Sequence, residues 1–195
     1  MKPVLMIHEF KEEFLDLPLE NYILTFDDGL YSQYYYYPKF KDIPTQKIFF
    51  ISSGIICNGP QSTEFPPCDQ AHEKAFSSNF EDYMTLDQIK ELMKDPWVTI
   101  GAHSHKHKNL RDIGKVTHRA MHIIDDTKLM VAWFKENLKF TPTKFCFPYN
   151  DENDGMYVPV LKSIGFNEFY GKERLAIENV PKTPDSICAH ENNTI

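Results

Sequence analysis

Short apolar runs of strand length alternate along this chain with longer segments of helical spacing, and that alternation restricts it to α/β folds with a parallel sheet. Val4 to Ile7, Tyr22 to Phe26, Lys47 to Ser52, Val98 to Ala102 and Lys144 to Phe147 are the strand candidates. Between them the spacing predicts a helix or helical turn over residues 30–42, interrupted by Pro38, and a helix N-capped by Thr85 that runs through Leu92. A long helix is predicted over 116–139, with Met121, Ile124, Leu129 and Phe134 on one face, and another over 155–164 with Gly165 at its C-terminal end. Residues 54–80 hold Gly, Pro, Asn and Ser with little periodicity and are expected to form a long loop. Loops of that length in compact domains are usually functional or disordered.

At 195 residues the chain is expected to form one domain, 1–195, able to bury a core without staples. Its formal net charge is −7 and it has no basic run, which excludes nucleic acid as a partner and disfavours acidic polymers. No stretch approaches the roughly 20 apolar residues of a membrane span. The opening Met-Lys-Pro-Val-Leu-Met-Ile-His lacks the form of a signal peptide, so a cytoplasmic location is expected. Cys57, Cys68, Cys146 and Cys188 are scattered and form neither a disulfide framework nor a thiolate metal site. The aromatic share of 14% fits either an aromatic core or rings that stack on sugars.

Three strand ends carry chemistry, and ligands in open α/β sheets and barrels gather at the carboxyl ends of strands. They are Asp27-Asp28-Gly29, His103 to His107, and Pro148-Tyr149. On a helical turn, His103 and His107 would share a face and bind one metal ion, with His105 pointing elsewhere. A carboxylate from another strand end completes a set of two histidines and one carboxylate with open positions, typical of catalytic zinc and of non-haem iron. Adjacent carboxylates point in different directions. One of the Asp27–Asp28 pair can therefore ligate the metal while the other takes a proton from water, whose pKa a metal lowers towards roughly 7. Gly29 lets the backbone turn sharply. Alone, Asp-Asp-Gly is commonly a turn and His-Ser-His-Lys-His a solvated loop; their shared position at strand ends carries the argument. His118 and His122 are also four apart, but they fall in a long helix and are expected at the surface or in packing. Tyr34 to Tyr37 are expected to pack a helix, and Asp151, Glu152 and Asp154 to form a solvated loop.

Thr25-Phe26-Asp27-Asp28-Gly29 and His103-Ser104-His105-Lys106-His107 resemble the first two motifs of the polysaccharide deacetylases, the group of the chitin deacetylases and NodB-like proteins, in the same order. The resemblance implies a distorted (β/α) barrel of about seven strands. It implies Asp27 as catalytic base, Asp28, His103 and His107 as ligands of a divalent metal (Zn2+ first, Co2+ or Ni2+ as alternatives), and Ser104 as a brace of the histidine loop. The third motif departs, because Cys146 stands where most members have the Arg that orients the base. Phe147-Pro148-Tyr149 instead resembles the aromatic-Pro-Tyr-Gly form of a subgroup acting on poly-N-acetylglucosamine, with Asn150 for Gly, a residue that enters the left-handed region comparatively easily. Pro148 and Tyr149 are then implied in substrate binding, the Tyr149 N–H facing the developing oxyanion. For the acid, Ile187-Cys188-Ala189-His190 does not fit the usual Leu-x-His, whereas Ile7-His8 resembles a Tyr-His pair on that subgroup's first strand, which favours His8 over His190.

The implied activity is removal of acetyl from N-acetylated sugars, in monosaccharide, precursor or oligosaccharide form. With a cytoplasmic location, the expected substrate is a nucleotide-linked or lipid-linked acetamido sugar of surface-polysaccharide assembly. Two alternatives stand beside this one. A relative that binds metal and sugar without turnover would follow from Cys146 and from an acid motif that neither His8 nor His190 matches in full. An iron oxygenase would use the same metal set, but lacks here its usual His-x-Asp/Glu spacing.

Overall fold

A computed structural model describes residues 2–181 of the chain. Seven parallel strands make one sheet: β1 (Val4–Ile7), β2 (Ile23–Phe26), β3 (Lys47–Ile51), β4 (Val98–Ala102), β5 (Lys144–Cys146), β6 (Glu168–Tyr170) and β7 (Leu175–Ala176), in the order β6-β5-β4-β3-β2-β1-β7. Parallel strands need crossover connections, and the helices supply them. They are α1 (Tyr31–Phe40), α2 (Cys68–Phe76), α3 (Leu86–Leu92), α4 (Val116–Asn137) and α5 (Tyr157–Ser163).

The chain's own connectivity forces the sheet to roll up. Laid flat, six inter-strand steps of about 4.8 Å would hold the outer strands about 29 Å apart. Yet β6 and β7 are those outer strands, and only residues 171–174 join them. That stretch reaches about 18 Å even when fully extended. The sheet therefore curls into a distorted (β/α) barrel, and the 171–174 turn spans the seam.

Burial on both faces explains why the central strands read as continuous apolar runs. All five residues of β3 are buried, Lys47 among them, and its ammonium donates to the Lys41, Ile43 and Thr45 carbonyls. Much of the aromatic content is core: Phe10 stacks on Phe40, Phe40 on Phe26, and Phe26 on Phe49. Thr85 caps α3 through a full capping box with Gln88. Gly165, at a φ of 104°, ends the α5 segment as expected.

Three sequence expectations change. Helix α1 runs unbroken through Pro38, inside its last turn. The 54–80 segment is not all loop, since Cys-Asp-Gln-Ala-His-Glu-Lys-Ala-Phe forms α2 and buries Ala71, His72 and Ala75. On α4 the inward stripe is Ile123, Asp126, Thr127, Met130 and Phe134, whereas Met121, Ile124 and Leu129 are exposed. Asp126 turns inward to meet backbone amides rather than apolar side chains, so an apolar pattern could not reveal that face.

Candidate active site

The ends of β1, β2, β4 and β5 meet at one mouth of the barrel. Gln33, fully buried on α1, donates from its amide to the His8 and Asp27 carbonyls and ties the first two ends together. After β2 the backbone turns through two left-handed residues, Asp28 at φ 73° and Gly29 at φ 80°. Glycine tolerates this, but an aspartate held there is strained, and such strain collects at functional sites.

Asp28 is buried among imidazoles. Its Oδ1 lies 3.1 Å from His103 Nε2, 3.1 Å from His107 Nε2 and 3.3 Å from His72 Nε2. The Nε2 atoms of His103 and His107 are 3.2 Å apart. They do not get there on a helical turn. Residues 103–107 form a tight loop with left-handed φ at Ser104 and His107, and this loop brings the rings together. The Ser104 hydroxyl accepts from the His107 amide, so Ser104 does brace the loop. Asp126 of α4 accepts the His105 and Lys106 amides at 2.7 and 2.9 Å. The His105 ring turns away to Ser53. His103 Nδ1 faces the Cys146 carbonyl at 2.8 Å; donating there, it leaves the Nε2 lone pair free for the centre.

This cluster fits a cation. Among the described residues, neither Asp28 oxygen has a hydrogen-bond partner, nor does His72 Nε2. Burying a carboxylate without compensation is costly. Zinc–ligand bonds of 2.0–2.1 Å correspond to edges of about 3.3–3.4 Å in a tetrahedron, close to the separations seen here. Burial pushes His107 down to about 4 against the pull of Asp28, whereas at His103 burial is outweighed by Cys146 and Asp28, which hold that ring well above its usual range. Burial raises the Asp28 carboxyl, but the surrounding histidines, His107 foremost, pull it well below its usual range.

Asp27, one residue earlier, lives in a different environment. Arg174, immediately before β7 in the barrel seam, donates to it twice: Nη1 to Oδ1 and Nη2 to Oδ2, each at 2.7 Å. The same guanidinium reaches Thr25 Oγ1, Asn150 Oδ1 and the Gly171 carbonyl, and lies 3.1 Å from the Cys146 sulfur. Burial raises the Asp27 carboxyl, but the charge and hydrogen bonds of Arg174 outweigh it and hold the group below its usual range. Burial pushes the Cys146 thiol up to about 11, so it is a neutral neighbour that donates to Asp27 Oδ2 at 3.4 Å. Asn150 takes a left-handed φ of 55°, and its side chain adds a partner for Arg174 that a glycine could not supply.

The remaining residues singled out in the sequence fall into place around these two groups. His8 is partly exposed, with Nε2 3.9 Å from Asp27 Oδ2. Pro148 is buried, and the Tyr149 ring packs on His107 with centroids 4.9 Å apart. His8, Asp27, Asp28, His72, His103, His107, Tyr149 and Asn150 line one cavity of about 360 Å³. His190 lies outside the described residues. His118 and His122 sit on α4, away from the centre, and His122 comes within 3.9 Å of Asp126.

Sequence reasoning missed Arg174 and His72. Arg174 left no local signal: with Lys172 and Glu173 it reads as an ordinary charged turn before a two-residue strand. His72 did leave one, because Gln, Ala, Glu and Lys around it are good helix formers without a breaker.

Comparison with known proteins bears on family and fold. The polysaccharide deacetylase family model matches residues 17–169. No curated protein matches the chain. Among solved structures, IcaB from Ammonifex degensii superposes with a TM-score of 0.66 at 20% identity, over 94% of this chain and 92% of that one. A de-N-acetylase from Aggregatibacter actinomycetemcomitans gives 0.63 at 15% identity, over 89% and 92%. The Streptococcus pyogenes deacetylase PplD, solved with acetate, gives 0.60 at 15% identity, over 84% and 80%. At these identities the likeness shows a shared fold. With the family model spanning most of the chain and both strand-end motifs gathered at one barrel mouth, this protein belongs to the polysaccharide deacetylase family.

Proposed function

We propose that this protein is a metal-dependent hydrolase that removes acetyl groups from N-acetylated sugars, working as a single catalytic domain. The observation that carries the proposal is the sorting of two adjacent carboxylates: Asp28 sits among imidazoles with no hydrogen-bond partner among the described residues, and Asp27 is clamped by a guanidinium. The first environment suits a cation ligand. The second suits a base that stays ionised and oriented.

A divalent cation, zinc first with cobalt or nickel as alternatives, would be held by Asp28, His103 and His107, where it would polarise an acetyl carbonyl and acidify water. Asp27 takes the proton from the attacking water. Arg174 keeps that carboxylate charged and fixes its direction. The Tyr149 N–H donates to the oxygen on which negative charge develops, with the positions of Pro148 and Tyr149 set by the turn after β5. His8, on the open side of Asp27, protonates the departing amine, giving acetate and a free amino sugar. The exposed ring of Tyr149 and that of Phe76 at the cavity rim offer faces for a sugar.

Arg174 answers the doubt raised by Cys146, because the guanidinium missing from the third motif arrives from the other side of the barrel seam. That favours turnover over a purely sugar-binding role. The activity named for the neighbouring de-N-acetylase is of the kind proposed, and a surface-polysaccharide acetamido sugar is the substrate class we favour. Among the described residues no helix is long and apolar enough to cross a membrane. The test is acetate release from a panel of N-acetylated sugars, with metal stripped and then restored as zinc, cobalt or nickel. Metal-dependent acetate that disappears in Asp27→Asn is the expected result. Cation-loaded protein that binds acetylated sugars and releases no acetate would overturn the proposal in favour of a binding role.

A further inference from the structure

Three imidazole nitrogens converge on one oxygen of Asp28, although the two strand-end motifs account for only two of them. The third is His72 Nε2, at 3.3 Å. His72 comes from α2, in a segment with no part in either motif. Its side chain is 10% exposed, and its Nε2 is buried without a hydrogen-bond partner among the described residues. It stacks on the His107 ring, with centroids 4.2 Å apart and 19° between planes, and Phe76 backs it at 6.2 Å. Asp28, His72 and His107 each place a ligand atom within 4.8 Å of the others.

Hydrogen bonding explains this arrangement poorly. A carboxylate oxygen has two lone pairs, and three N–H groups pointed at Oδ1 would exceed them. Three protonated rings side by side would also repel one another. A single cation beside Asp28, near the His72 and His107 nitrogens that lie within 4.8 Å of its carboxylate oxygen and of each other, would draw a lone pair from the carboxylate and from each neutral ring. Two histidines and a carboxylate leave a catalytic cation an open position, whereas four protein ligands fill a tetrahedral shell.

We infer that His72 is a fourth protein ligand of the cation held by Asp28, His103 and His107, so that the resting site is closed by three imidazoles and one carboxylate. This rests on the metal site proposed above. Its consequence is that α2 gates the centre: the position a sugar's acetyl oxygen needs is the one His72 fills, and turnover requires His72 to withdraw.

The direct test is X-ray absorption of the zinc-loaded wild-type protein, which counts imidazoles at the metal without any variant. Three are expected, falling to two in His72→Ala or His72→Gln. Cobalt titration of the same proteins should show intense four-coordinate visible bands in wild type. Both variants should show weaker, higher-coordinate bands and an affinity lower by about tenfold or more, since loss even of outer-shell partners costs that much. Added imidazole should restore the wild-type bands in His72→Ala. Two imidazoles in wild type, or unchanged cobalt bands and affinity in both variants, would overturn the role of His72 and leave the three-residue site standing. Failure of wild type to bind either metal would overturn both.

Discussion

Replacing Arg174 with Met removes the guanidinium from Asp27 while keeping most of its volume, and the structure sets the size of the effect. The Arg174 side chain is fully buried and that of Asp27 is 2% exposed, so solvent screens their interaction little. Two 2.7 Å charge-assisted bonds join them, and bonds to Thr25 and Asn150 fix the fork in place. Breaking one partner of such a pair leaves an uncompensated buried charge and costs about 3–5 kcal/mol. For a chain of this length, that corresponds to a thermal midpoint about 6–20 °C lower.

The pH dependence makes the argument specific. In wild type the folded carboxyl lies below its unfolded value, so its stabilisation is present above about pH 4 and is lost as pH falls through the depressed folded value. In Arg174→Met, burial dominates and the folded value rises above the unfolded one, so Asp27 destabilises increasingly as pH climbs. The stability gap between the two proteins should therefore be widest near neutrality and narrow in acid, as measured by urea unfolding across pH. The acid limb of kcat/KM should move to higher pH in the same variant. Arg174→Lys, which keeps charge without the fork, should recover part of both effects. A gap that does not vary with pH, together with an unmoved acid limb, would show that Arg174 serves the fold alone and does not set the base.

Three further outcomes are expected. Asp27→Asn should lower acetate release by about 10²–10⁴-fold while leaving cobalt affinity intact, because general-base catalysis has that size and Asp27 is not among the proposed ligands. Asp126→Ala frees two loop amides bonded to a carboxylate, and should cost about 1.5–3 kcal/mol in urea unfolding and loosen the cation by misplacing His103 and His107. Asn at this position should lose less. Zinc at 100 times its Kd should stabilise wild type by about 2.7 kcal/mol and His103→Ala hardly at all, as read from thermal midpoints of stripped and reloaded protein.

What the sequence reveals here depends on how far apart cooperating residues sit along the chain. The strands and both strand-end motifs were legible because each is a short local pattern: an apolar run, then polar residues where the run stops. The pairing of Asp28 with His103 and His107 could be anticipated, since parallel strands put successive carboxyl ends at the same mouth. Arg174 could not, because it lies 147 positions from Asp27 and reaches it only after the sheet has rolled up. The inward face of α4 was misread for a related reason. Asp126 is buried there by two backbone amides of the histidine loop, so the helix shows its most important contact as a charge in an apolar stripe.

The barrel seam explains how a third motif without arginine is compatible with an oriented carboxylate at Asp27, the base proposed above. Asp27 needs a buried, positively charged fork, and the groups able to supply one are those that face the interior beside the end of β2. A side chain at the end of β5 is one such group, and there the chain has Cys146, a neutral thiol small enough to leave space. The turn from β6 to β7 is another, and closure of the barrel carries it across from the opposite edge of the sheet, so that Arg174 fills that space and touches the Cys146 sulfur at 3.1 Å. The small residue and the displaced arginine are thus two halves of one arrangement. An arginine at position 146 would place a second guanidinium where Arg174 already lies, so the small residue of the third motif and the seam arginine go together.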